Sequence, residues 1–63
     1  MNATDAQIHY LECLAIDLSM DRRSRNAHIS EHIGRKVASL DELTVQEASK
    51  AIDYFKQMKE DQE

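Results

Sequence analysis

The sequence predicts an all-α fold, a compact three-helix domain with helices at about 5–18, 22–33 and 45–59. Three observations predict it. The 63-residue chain has no proline and one glycine, Gly34, so turn-rich β architecture lacks its punctuation. Thr4 with Gln7, and Thr44 with Glu47, match the capping box, in which a Thr side chain and a Gln or Glu three residues on satisfy each other's backbone N–H groups. Apolar residues after each box recur at steps of three and four rather than two.

Residues 1–3 precede any helix signal and are expected to fray. Helix one opens on the Thr4 box, with Asp5 favourably placed against the helix dipole. Ile8, Leu11, Leu14, Ala15 and Leu18 fall on its core side. His9, Cys13 and Ile16 share nearly the opposite side. This second strip reads either as an oligomer surface or as scattered exposed apolar residues.

Ser19 and Met20 make the turn, Asp21 caps helix two, and Gly34 supplies the left-handed residue that ends it. Helix two is the weak element. Its large apolar residues are Ile29 and Ile33, supported by Ala27, and Arg22, Arg23 and Arg25 crowd its start, where cations oppose the macrodipole. In the connector 35–42, Val37 and Leu40 are expected to tuck beneath the helices, with Ser39 capping a short turn through Leu43.

The last helix places Val45, Ala48, Ile52 and Phe55 on one stripe flanked by Ala51 and Met58. Ile52 is read as its centre, so Ile52→Ala is expected to cost on the order of 2–5 kcal/mol. Residues 60–63 are acidic, unpatterned and expected to fray. Helices one and three are expected to form the main antiparallel pair, with helix two closing the open side. A single domain spans 1–63, near the size below which one core no longer offsets the entropy lost on folding.

Eight basic against twelve acidic residues give a net charge of −4, which argues against nucleic-acid binding by the whole surface. The charge is unevenly placed. Residues 1–21 carry Asp5, Glu12, Asp17 and Asp21 with no Lys or Arg, whereas 22–36 carry five cations against Glu31. Arg22, Arg23, Arg25, Arg35 and Lys36 are therefore candidate contacts to a partner or to phosphate. The alternative is pairing with acids of helices one and three. Tyr10, Tyr54 and Phe55 do not interleave with these cations as a base-stacking platform requires, and Arg25 and Asn26 are the candidates for reaching base edges.

Cys13 stands alone, and no apolar run suits a membrane span or a signal peptide, so cytoplasmic residence is the default. His9 with Cys13, and His28 with His32, have the one-turn spacing of metal ligands. His9 and Cys13 point away from the side facing helix two, so the two pairs do not converge. No metal or cofactor is expected, and His28 and His32 read as surface residues beside Ile29 and Ile33. A Cys and a His on one exposed turn lack an oxyanion site and a means of excluding water, and so small a domain seldom encloses a substrate cleft. No catalytic residue is assigned, and the chain is not expected to be an enzyme.

The pattern Thr4-x-x-Gln7-x-x-Tyr10-Leu11-x-x-Leu14, followed by Leu43-Thr44-x-x-Glu47-Ala48-Ser49-x-x-Ile52-Asp53, resembles a small helical module of phage and prophage proteins. It is similar to modules of uncharacterised bacterial domain families, to the phage Mu gp16-type small proteins, and to terminal segments of phage recombination and single-strand DNA-associated proteins. The likeness covers about residues 4–55. It departs where relatives tend to have Leu-Gly-Leu after helix one and this chain has Leu18-Ser19-Met20, and its helix two is more basic. The resemblance implies a non-enzymatic phage or prophage accessory protein. It would act by protein–protein interaction with DNA replication, recombination or host-defence machinery. A homodimer covering His9, Cys13 and Ile16 fits the small core. The alternative is a weak DNA-binding module using the band 22–36.

Overall fold

The computed structural model describes residues 1–62 of the chain. It is an all-α domain of three helices, α1 (Asp5–Asp17), α2 (Arg22–Ile33) and α3 (Val45–Gln62), with one 3₁₀ turn, Leu40–Glu42, between α2 and α3. Both capping boxes form. The Thr4 hydroxyl accepts from the Gln7 N–H at 3.1 Å while the Gln7 side chain accepts from the Thr4 N–H, and Thr44 and Glu47 do the same at the start of α3. Asp21 caps α2 by accepting from the Ser24 N–H at 2.7 Å, and Gly34 ends it at φ 89°. Ser39 caps the 3₁₀ turn, as expected.

The helices run up, down and up, which corrects the expected antiparallel pairing of α1 with α3. Gln7, near the start of α1, donates to the Val45 carbonyl at the start of α3, and Asp17, at the end of α1, meets Lys59 near the end of α3. The two helices are parallel. The reason is chain reversal: the turn of four residues after α1 sends α2 back, and the connector sends α3 forward again. Arg35, just past the end of α2, accordingly meets Glu47 in the first turn of α3.

Among the described residues eleven side chains make the core: Leu11, Leu14 and Ala15 from α1 with Leu18 just past its end, Ile29 from α2, Val37, Leu40 and Leu43 from the connector, and Ala48, Ala51 and Phe55 from α3. The connector thus supplies the apolar surface that α2 lacks. Ala27, expected to support Ile29, is exposed, and Ile33 is half-buried. The centre of the α3 stripe is also displaced. Ala48, Ala51 and Phe55 are fully enclosed because α3 is gripped by both other helices, and Ile52 sits on a half-buried flank.

The first residues carry backbone bonds that the sequence does not signal. The Ala3 N–H donates to the Leu43 carbonyl at 2.8 Å and the Val45 N–H donates to the Met1 carbonyl at 3.0 Å, so the first residues lie antiparallel beside the entry to α3. α3 continues past 59 to Gln62; Glu63 lies outside the described residues. Among the described residues no helix is long and apolar enough to cross a membrane.

α1 ends in a Schellman arrangement, with the Met20 N–H on the Ala15 carbonyl and the Ser19 N–H on the Ile16 carbonyl, both at 2.9 Å. Ser19 occupies the left-handed position at φ 60°, where a side chain is strained and glycine is not. Ser19→Gly should therefore stabilise by about 1 kcal/mol, raising the melting temperature by roughly 4–8 °C in a domain of this size. In urea titrations Phe55→Ala should lose about 3–5 kcal/mol and Ile52→Ala distinctly less. Equal losses would contradict the burial described for α3.

Candidate functional site

The five cations adjacent in sequence do not form one patch. Arg22, Arg23 and Arg25 stand at the start of α2, and Arg35 and Lys36 lie beyond its end. A helix of 12 residues separates the two groups by about 18 Å. Arg22, Arg23 and Lys36 are exposed. Arg25 is half-buried in a notch with Ile8, Glu12, Arg22, Leu40 and Asp41, and its Nε donates to the Asn26 side chain at 3.1 Å. Burial holds the Arg25 pKa below the ordinary guanidinium value, with Glu12 acting in the opposite sense and Arg22 in the same one. Asn26 donates its amide to the Ala38 carbonyl at 3.0 Å. The two residues singled out for base edges thus bond to each other and to the connector.

Arg35 is held as a structural clasp. Its Nε and one terminal nitrogen donate to the two carboxylate oxygens of Glu47 at 2.9 and 2.7 Å, and the same terminal nitrogen reaches the Glu42 carbonyl at 2.8 Å. This is the acid pairing that the sequence offers as the alternative to phosphate contact. It ties the end of α2 to the start of α3.

The strip on α1 does come together. His9 Nε2 lies 3.6 Å from Cys13 Sγ, both side chains are exposed, and Ile16, one turn further, is 73% exposed. Tyr10 adds to this face and is 43% exposed. It belongs to a shallow groove between α1 and α3 lined also by Cys13, Asp17, Lys56, Lys59 and Glu60. Sequence reasoning passed over Tyr10 as a surface residue, although its spacing of three from Cys13 was the available signal.

His28 and His32 turn to a different surface. The His32 ring stacks on Tyr54 of α3 with centroids 4.3 Å apart and planes within 2°, and His28 approaches the same ring at 6.5 Å. His9 with Cys13, and His28 with His32, therefore stand on different surfaces as two separate pairs. Among the described residues no group of three or more His, Cys, Asp or Glu side chains is placed to hold a metal ion.

The hydrogen bonds from Arg35 first, then from the Thr44 N–H, hold the Glu47 pKa down, from 4.5 to about 2. A carboxylate depressed on folding stabilises fully above its unfolded pKa and loses that contribution as pH falls toward the folded value. The melting temperature should therefore fall between about pH 5 and pH 2, and Glu47→Gln should flatten part of that decline. An unchanged profile in Glu47→Gln would remove the clasp from the account of acid stability.

No protein-family model, curated protein or solved structure matches this chain.

Proposed function

We propose that the chain is a non-enzymatic phage or prophage accessory protein that acts in the cytoplasm by binding a protein partner through the outer face of α1. The partner is a component of DNA replication, recombination or host-defence machinery. The observation that supports this is the exposure of Tyr10 and Ile16, one turn to either side of Cys13 along α1, in a domain whose other described large apolar residues, Met1 apart, are at least half-buried. Exposed large apolar residues on one helix, beside charged ones, suit protein contact. Asp17, Lys56, Lys59 and Glu60 supply that rim on the α3 side. The likeness of the two capped segments to phage modules supports the setting.

The second reading is weak DNA binding, favoured by the exposure of Arg22, Arg23 and Lys36. With Arg35 held by Glu47, four cations remain, and the salt dependence of duplex binding would have a slope of no more than about −3.6. Capture from infected or lysogenic cells with the tagged chain, in the presence of a chelator, should retain a DNA-processing protein that Ile16→Glu loses and the double variant Arg22→Glu, Arg25→Glu keeps. Ile16 is exposed, so the variant should fold. Submicromolar binding of short labelled oligonucleotides at about 150 mM salt, abolished by the arginine reversals, would replace the first reading with the second.

A further inference from the structure

We infer that the notch between α1, the start of α2 and the 3₁₀ turn binds a small aliphatic zwitterion of the amino-acid class. The notch has a volume of about 350 Å³, at the low end of the range for ligand sites. Four ionised side chains line it: Glu12 from α1, Arg22 and Arg25 from α2, and Asp41 from the turn. Among the described residues none of the four belongs to an ion pair. Two cations and two anions from three elements thus face one concave space without closing on one another.

Arg25 is held ready on the α2 wall. Its Nε donates to the Asn26 side chain, and the Asn26 amide donates to the Ala38 carbonyl, so bonds that run back to the connector set the plane of the guanidinium. Its terminal nitrogens have no acceptor among the described residues. Burial disfavours the Arg25 charge more than Glu12 restores it. A carboxylate brought to the free edge of the guanidinium gains two parallel charge-assisted bonds where the chain supplies none. Asp21 already takes the Ser24 N–H, so the side chains rather than the helix end make the site.

The acids determine the second charge of the ligand. A bare anion drawn to Arg22 and Arg25 also meets Glu12 and Asp41, and a bare cation meets the opposite conflict. A molecule carrying a carboxylate and an ammonium satisfies both pairs, and single ions are rejected by the charges they leave opposed. Ile8 and Leu40 complete the lining and suit an aliphatic body. The site shares no residue with the strip of His9, Tyr10, Cys13 and Ile16, so it goes beyond the partner reading and is independent of it.

NMR titration of the isotope-labelled chain with leucine and with ε-aminocaproate, which separate their charges differently, should show saturable shifts of the Arg25 Nε–H and the Leu40 and Asp41 amides with at least one of them. Isocaproate, which lacks the ammonium, and leucinamide, which lacks the carboxylate, should bind at least about tenfold more weakly. The double variant Glu12→Gln, Asp41→Asn should erase the preference over isocaproate, Arg22→Gln should weaken the zwitterion and isocaproate alike, and Cys13→Ser should change neither. All four positions are exposed, so melting temperatures should stay the same. No saturable shift at these residues up to about 20 mM of either zwitterion, single ions binding as tightly, or a preference that survives the double variant would each overturn the proposal.

Discussion

Asn26 and Ser30 hold the connector against α2, and most of the tertiary structure depends on that attachment. The Ser30 hydroxyl accepts from the Val37 N–H at 2.8 Å and donates to the Asn26 carbonyl, while the Asn26 amide donates to the Ala38 carbonyl. Glu42 then accepts from the N–H groups of Ala38 and Ser39 at 2.9 and 2.8 Å. An irregular segment under a core must have its backbone polar groups satisfied, and here side chains do so. Val37, Leu40 and Leu43 can consequently lie 0–4% exposed. Without these bonds the core would lose its three connector residues, and α2 would keep Ile29 as its one enclosed side chain.

Asn26 and Ser30 also explain why α2 looks unsuited to a helix bundle. Its polar residues facing inward bond to the connector rather than leaving a gap in an apolar stripe. Ala48 and Ala51, by contrast, give α3 a small-residue surface on which neighbouring helices approach closely, and Phe55 fills the space beyond them. α3 is therefore the element against which both other helices are placed. α1 faces it with Leu11 and Leu14 and leaves His9, Cys13 and Ile16 outside.

Local features were the legible ones. Thr4, Asp21, Ser39 and Thr44 cap the elements they were expected to cap, and Gly34 ends α2, because these signals are complete within a few residues. The direction of α1 relative to α3 was not legible from their two stripes, since a stripe has no polarity and chain reversals decide the matter. Ile52 was misplaced for a related reason: four apolar positions define a face about 100° wide, and only a neighbour determines which part of it is central. The basic band dissolved because five cations adjacent in sequence were interrupted by a whole helix. The pairing of Arg35 with Glu47 spans twelve residues and has no local signature. The strip of His9, Cys13 and Ile16 was legible, because it lies on one helix and needs only its period.

The turn that returns α2 along α1 changes the meaning of the arginines at the start of α2. Taken alone, α2 puts Arg22, Arg23 and Arg25 at the positive end of its own dipole. In the fold Arg22 and Arg25 lie in a notch with Glu12 of α1 and Asp41 of the connector. Glu12 acts on the Arg25 guanidinium in favour of its charge. Acids distant in sequence thus stand where the helix's own dipole opposes a cation, and two of the three arginines that appear to reach for an external anion have carboxylates of the same chain beside them.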